Sequence, residues 1–441
     1  MTATLIVWIA SALLCTGLLT QRYWEPRLSR RLSAVPLRWY LVGFPVTVCR
    51  MRYTWRRLCQ NTDLAVVRRP RYTVIGRDAM VRGTALRPIP PRLGVPKVMF
   101  SGLSVRVDLH PGQTPAQFIA ATESFAHAWR VHAVRVISPK RGEVLIIATA
   151  RDPLAGDPER RMFPAPRFMA AVVGRLGDGS AWVIDFRKVP HWLVIGATQS
   201  GKSTLLGALV SQLGSQAVAV VGIDCKGGME FSLFAKRLSA LATNRRDAIG
   251  LLHGLIAEAE DRMAGCRAAG VRSVWELDHD ARPRPIVLLV DEVAELYLSG
   301  GSLIGRKEAV ECSTALLRLA QLGAALGIHV VVAAQRFGSE LGPGVTALRA
   351  QLGGRICHRV NDESSAEMAL GDLSPDAIVV AQSISEDEQG VAVTTAGGYW
   401  VRARSTLLTP DEIRHYAAKN AHRTPELPAL TAAMQAGGGA T

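Results

Sequence analysis

Acidic side chains are almost missing from the first hundred residues of this 441-residue chain. Only Glu25, Asp63 and Asp78 stand there, against 16 Arg and one Lys. The remaining 341 residues hold 35 basic and 34 acidic side chains, so the formal charge of +15 belongs almost wholly to the N-terminal stretch. A pI near 10 therefore does not by itself mark a nucleic-acid binder. Lysine is scarce too, 8 against 44 Arg, a ratio that GC-rich coding explains without any chosen guanidinium chemistry. The seven Cys show no CxxC and no paired spacing, which excludes a disulfide scaffold and a zinc ribbon. The ten His contain no HExxH, and the pair His127 and His132 reads as surface or packing. No repeat of solenoid length is present. With 20% charged and 48% apolar residues the chain is not disordered, and its length exceeds one compact core, so two or three domains are expected.

One long apolar run is present. Met1–Gln21 carries no charge and matches the length of a bilayer-spanning helix. It lacks the basic leader of a cleaved signal, so a retained anchor is expected. Arg22, Arg27, Arg30 and Arg31 follow, with Tyr23 and Trp24 at interface level, which puts the N-terminus outside and the rest in the cytoplasm, beside an anionic leaflet. A second apolar stretch, Trp39–Cys49, is short and holds Pro45, so an interfacial or packed segment is expected, with a two-helix hairpin as the alternative. Residues 22–100 read as a basic juxtamembrane region ending in a Pro- and Gly-rich linker at 83–96.

From 101 to 155 the pattern predicts a small α+β module. Leu103–Leu109 alternates as a strand, Pro115–His127 reads as a helix starting near Thr114, and Ala133–Ile137 and Glu143–Ala148 read as two more strands. Nothing in it looks catalytic.

The chemistry lies further on. His191–Ile195 is an apolar strand running into Gly196, Ala197, Thr198, Gln199, Ser200, Gly201, Lys202, Ser203 and Thr204, then a helix over Thr204–Leu213. This is GxxxxGKS between strand and helix, the context that gives it meaning. Backbone N–H groups and the helix dipole would cradle the phosphates of ATP, Lys202 would reach the β/γ-phosphates, and Ser203 would ligate Mg²⁺. Ile286–Val290 is a buried strand ending in Asp291 and Glu292. Asp291 is placed to hold Mg²⁺ through water and Glu292 to act as general base, which argues for ATP hydrolysis over mere binding. A third strand, Ile328–Ala334, ends in Gln335, whose amide can report the γ-phosphate. Val218–Ile223 ends at Asp224. Strands alternating with helices predict a mostly parallel α/β sheet with ligands at the strand C-termini.

Taken in order, these strings resemble the FtsK/SpoIIIE DNA translocases of the RecA-like ATPase class. GATQSGKST at 196–204 looks like the family P-loop, and IDCKGGMEF at 223–231 is similar to its D-P-K-x-x-E segment with Cys225 in place of Pro. GIHVVVAAQR at 327–336, LRAQLGGRICHRV at 348–360 and VRARSTLLTPDEI at 401–413 look like later family segments. The resemblance implies a RecA-like motor over 165–420, a hexameric homo-oligomer, and double-stranded DNA as the partner. It also implies a trans arginine finger, for which Arg355 is the candidate and Arg349 and Arg336 are rivals. Arg272 and the Asn244–Arg246 loop are candidate phosphate contacts, with solvated surface as the plainer reading.

The layout departs from the chromosome-segregation members. There is no long Pro/Gln-rich linker, and the 421–441 segment reads as a flexible tail too short for a winged-helix module. A short anchor, a small module and one motor resemble the TraB/Tra-type transfer proteins of actinobacterial conjugative plasmids and integrative elements. The expectation is a membrane-anchored, ATP-driven DNA pump for conjugative transfer, working with other transfer proteins. The alternatives are a chromosome-segregation pump and a protein-export ATPase of the type VII secretion class, which generally carries several motors in tandem.

Overall fold

The computed structural model describes Thr16 and residues 39–66, 88–99, 102–155, 165, 167–298, 301–371, 373, 375–396 and 399–438. The expected anchor at 1–21 lies outside the described residues except for Thr16. Among the described residues no helix is long and apolar enough to cross a membrane. The chain divides into two units, Met1–Pro153 and Leu154–Thr441.

In the first unit, α1 (Phe44–Asn61) carries Trp39–Cys49 onward into a packed helix. Thr47, Met51, Trp55 and Cys59 are buried at every fourth position, one stripe of the helix, while Arg52, Arg56 and Arg57 stay exposed. The basic residues that made this stretch read as juxtamembrane surface are thus the outer face of a core helix. Strands β1 (Arg92–Leu93), β2 (Lys97–Met99) and β3 (Gly102–Asp108) come next. They are followed by helices α2 (Pro115–Ala120) and α3 (Thr122–Trp129), then strands β4 (Ala133–Lys140) and β5 (Glu143–Thr149). The expected single helix is two, and Thr114 with Gln117 forms the capping box that starts the first. The antiparallel sheet runs β1-β3-β5-β4, with β2 on β3. Trp55 of α1 stacks on Phe125 at 5.9 Å, and Phe125 on Trp129 at 5.1 Å. Trp55 Nε1 also donates to the Pro91 carbonyl at 2.9 Å. The module's core therefore reaches back well ahead of residue 101.

The second unit is built on one ten-stranded mixed sheet. Its strands in chain order are β6 (Ala170–Leu176), β7 (Ala181–Asp185), β8 (Trp192–Ile195), β9 (Ala219–Ile223) and β10 (Ala240–Ala242), then β11 (Ile286–Val290), β12 (Ile328–Ala334), β13 (Gly354–His358), β14 (Val391–Ala396) and β15 (Tyr399–Ser405). They lie in the order β10-β9-β11-β12-β8-β13-β14-β15-β6-β7. The first six pair in parallel. From β13 onward the pairs are antiparallel, so the sheet is mixed and not mostly parallel throughout. Strands β8, β9, β11, β12 and β13 are buried along their whole length, as strands of a sheet covered on both faces are, and β13 buries Arg355 and His358 with the rest.

The helices that matter for the site are α4 (Lys202–Gly214), α5 (Arg245–Ala268), α6 (Ala294–Tyr297), α7 (Leu303–Leu326) and α8 (Val345–Gln351). Near the end of the chain, residues expected to form a flexible tail instead include a helix, α9 (Pro428–Gly438). It packs on α5 where two glycines open the surface. A Cβ at Gly250 would meet the Ala433 carbonyl at 2.8 Å, and one at Gly254 would lie 3.2 Å from Leu430 Cα. Leu430 is fully buried there.

Two predictions follow from this packing. Leu430→Ala should cost the motor about 2–4 kcal/mol in denaturant unfolding, whereas a fraying tail would lose less than about 0.5 kcal/mol. The second concerns three buried histidines. Burial pulls His191 and His358 down to about 4 and His329 to about 3, so all three are neutral in the fold. A folded pKa below the unfolded one makes the unfolded chain bind the extra protons. The stability these histidines contribute is therefore full above about pH 6.5 and falls as pH drops toward 4. Near pH 5, unfolding of His329→Gln should take up about one proton fewer than unfolding of the wild type, read from the pH slope of the unfolding free energy.

Candidate nucleotide-binding site

Parallel register brings the predicted residues to one edge. Ile195 of β8 pairs with Ala334 of β12, and Val290 of β11 lies level with Val332 of β12 and Ile223 of β9. The next residues along, Gly196, Gln335, Asp291 and Asp224, therefore leave the sheet together at the carboxyl ends of the strands.

The loop between β8 and α4 is tightly specified. Gly201 has φ +114°, and a Cβ there would lie 2.5 Å from Gly390 Cα. A Cβ on Gly196 would meet Ser200 Oγ at 2.5 Å and His358 Cβ at 2.7 Å. Gln199 also adopts positive φ, at 59°. Neighbouring strands brace the loop. Ala197 N–H donates to the Arg359 carbonyl at 2.8 Å, and Gly390 N–H donates to the Ser200 carbonyl at 3.0 Å. Thr198, Gln199 and Ser203 face solvent, while Thr204 is half-buried in the first turn of α4. Lys202 Nζ folds back over the loop and donates to the carbonyls of Gly196 at 2.5 Å and Ala197 at 3.1 Å. Desolvation lowers its pKa, opposed by the charges of Glu292 and Asp291.

Opposite the lysine stands an acidic group. Asp291 and Glu292 are both buried. Burial, and then the negative charges of Asp224, Glu230 and Glu292, push the Asp291 carboxyl up to about 6, against the pull of Lys226. Glu292 Oε1 accepts from Gln335 N–H at 3.4 Å, and Lys226 Nζ lies 3.6 Å from Glu292 Oε2. Glu292 Oε2 is buried without a hydrogen-bond partner. Crowded, under-neutralised carboxylates fit a divalent cation carried in with a nucleotide, and Ser203 at the start of α4 has an exposed hydroxyl. Among the described residues no His, Cys, Asp or Glu cluster forms a cage that would hold a metal by itself.

Lys202, Asp291, Glu292 and Gln335 thus converge. Arg355 does not join them. It lies within β13, is 8% exposed, and donates from Nη2 to the Arg349 carbonyl at 3.1 Å. Of its rivals, Arg349 is half-buried and donates to the Phe337 carbonyl at 3.4 Å. Arg336 is the exposed one and bonds Ser364 Oγ at 3.0 Å. In the Asn244–Arg246 loop, Asn244 caps α5 and Arg245 ties to the Glu295 carbonyl at 2.6 Å, a structural use of both. Arg272 is exposed.

Three further residues emerge from the geometry. Asp224 is 1% exposed, and its carboxylate accepts from the N–H groups of Lys226, Glu230 and Phe231, shaping the loop that presents Lys226. Its signal in sequence was an acid at the end of a buried strand. His358 sits fully buried under the loop, with Nδ1 bonded to the Val391 carbonyl at 3.0 Å. Arg359 reaches the loop from the end of β13, and no motif announced either residue.

Comparison with known proteins agrees with this architecture. The model described as the N-terminal domain of actinomycete conjugal transfer proteins matches residues 28–150. The FtsK/SpoIIIE family model matches 164–282 and 276–339. The transfer protein TraSA of Streptomyces ambofaciens is 44% identical over 358 residues, covering 78% of this chain and 85% of its own. The DNA translocase FtsK of Helicobacter pylori strain J99 is 28% identical over 249 residues, 54% of this chain and 28% of its own. Among solved structures, the pCW3 conjugation coupling protein TcpA, a monomer form with ATPγS, shares the fold at TM-score 0.54 and 20% identity. That likeness covers 83% of this chain and 98% of that one. With a P-loop ATPase fold, its site at the strand ends, and 44% identity across most of a Streptomyces transfer protein, the chain belongs to the FtsK/SpoIIIE family, in its actinomycete conjugal-transfer branch.

Proposed function

We propose that this chain is an ATP-driven translocase of double-stranded DNA that serves conjugative transfer of a plasmid or integrative element. In this reading a RecA-like motor works as a hexameric ring, anchored to the cell membrane by residues 1–21 with the motor on the cytoplasmic side. The observation that carries the reading is the convergence of Lys202, Asp291, Glu292 and Gln335 at one sheet edge, in a chain of the conjugal-transfer branch.

Each residue has a task that its placement supports. Lys202 already lies over the loop and exchanges carbonyl partners for phosphate oxygens. Ser203 and Asp291 would hold Mg²⁺, which offsets charge on the β- and γ-phosphates. The buried, unpartnered Oε2 of Glu292 is the oxygen that accepts a proton from the attacking water. Lys226, 3.6 Å away, pairs with that carboxylate and holds it in place. The Gln335 backbone holds Glu292 from the other side, so loss of the γ-phosphate beside Gln335 is felt at the base.

The test is ATP hydrolysis by the purified full chain with and without duplex DNA. Duplex DNA should stimulate it several-fold, single-stranded DNA much less. Lys202→Ala should abolish nucleotide use. Glu292→Gln should bind ATP normally and lose at least about 100-fold in turnover, the usual scale for a general base. A rate indifferent to duplex DNA would remove the translocase reading and favour an export or segregation-independent ATPase. Normal turnover in Glu292→Gln would remove that residue as base.

A further inference from the structure

We infer that Arg359 is a nucleotide-contacting cation that engages the diphosphate end shared by ATP and ADP, on the side of the P-loop opposite the acidic centre. The inference deepens the nucleotide-site reading above and rests on it.

The first argument is position. In the sheet, β8 and its P-loop lie between β12 and β13. Every group that marks the γ-phosphate end stands on the β12 side, namely Gln335 at the end of β12 and Asp291 and Glu292 at the end of β11. Arg359 follows β13 directly and so stands on the other flank. A triphosphate laid along the loop with its γ end at Glu292 has its α-phosphate end toward that flank.

The second argument is how the side chain is held. The Arg359 backbone is fastened to the loop through the Ala197 N–H, 2.8 Å from its carbonyl. Its guanidinium donates from Nη2 to the Thr198 carbonyl at 3.4 Å and from Nη1 to Asn361 Oδ1 at 3.2 Å. It also lies 3.4 Å from the carboxylate of Glu386. Lys202 offers the parallel. It too rests on carbonyls of the loop, those of Gly196 and Ala197. Arg359 occupies the matching place at Thr198. A carbonyl is a weak acceptor for a guanidinium beside a phosphate, and Arg's planar fork suits two phosphate oxygens at once. Glu386 is almost fully exposed at 85%, so the ion pair it makes is weak and readily exchanged.

The third argument is charge. A nucleoside triphosphate meets Lys202, Lys226 and a cluster of carboxylates at its γ end. On the other flank Arg359 is held against the loop at the Thr198 carbonyl. A fixed cation there binds ATP and ADP alike, so it sets affinity and leaves the chemical step to Lys202 and Glu292.

The experiment is calorimetric binding of ADP and of ATPγS to the full chain, with ATP turnover measured in parallel. Arg359→Gln should weaken both nucleotides by about tenfold, the worth of one charge-assisted hydrogen bond. The ratio of the two affinities should hold, KM for ATP should rise by the same factor, and kcat should stay within about twofold. Arg359→Lys should recover part of the loss. Glu386→Gln, an exposed change that releases the guanidinium, should leave binding equal or tighter. Unchanged ADP affinity in Arg359→Gln would overturn the inference, and so would a loss confined to ATPγS, which would put the residue at the γ end. If Arg359→Gln melted below the assay temperature, weaker binding in Glu386→Gln would overturn it instead. A wild-type chain that bound neither nucleotide would overturn the nucleotide site itself, a failure distinct from these.

Discussion

Everything the site does depends on the register of five parallel strands. Each pairing from β9 through β11, β12 and β8 to β13 fixes where a strand ends, and chemistry begins at the residue after the end. A slip of one residue would turn buried side chains outward and misplace Asp291 against Gly196. The register is enforced by burial on both faces. Val, Ile, Leu and Ala dominate β9, β11, β12 and β8, and two separate apolar clusters pack above and below the sheet. The loops themselves need little stability of their own, because the sheet sets their starting points. The P-loop is the exception, since its close approach to Gly390 and His358 leaves no room for side chains at Gly196 and Gly201.

Electrostatics within that frame are opposed by design of placement. Asp224, Glu230, Asp291 and Glu292 crowd one flank, and their mutual repulsion together with burial holds Asp291 near 6. Such an arrangement costs stability in the isolated chain and is relieved by a cation. Lys226 pairs with Glu292 inside that group, while Lys202 rests across the loop and Arg359 on the far flank, where they face a place for anionic phosphate. The net charge of the chain takes no part in this. Its excess lies in residues 1–100, and the arginines of α1 that the structure describes form the outer face of a core helix.

What the sequence made legible was whatever is local and periodic. Strands β11 and β12 are legible to the residue, because a β-branched, mainly apolar run ending in a polar pair reads as a buried strand in an α/β chain. The P-loop was legible because glycine spacing and flanking elements agree. What was not legible depended on distant partners. Helix α1 buries only one residue in four, so its sequence is dominated by its wet face, and its role appears only when Trp55 meets Phe125. The last helix looked like a tail because its docking site is made by Gly250 and Gly254, nearly two hundred residues earlier. The sheet's change from parallel to antiparallel comes at the β13–β14 pair, joined through residues 359–390, and continues where β15 pairs with the much earlier β6, an order that hydropathy alone does not give.

Strand β13 shows why residue type alone could not assign the arginines. It carries Arg355 inside the sheet and delivers His358 and Arg359 at the loop, so two arginines four residues apart have opposite fates. Family resemblance drew attention to Arg355, yet its guanidinium is spent on the Arg349 carbonyl. His358 between them is held neutral by burial and, secondarily, by the nearby lysine. That neutrality has a consequence for its neighbours. A charged imidazole under the loop would compete with Lys202 and Arg359 for the same phosphate, whereas a neutral one bonded to Val391 props the loop without altering its charge. The division of labour along one strand, a buried tie, a neutral prop and an accessible cation, follows from how far each side chain lies from the edge where the strands end.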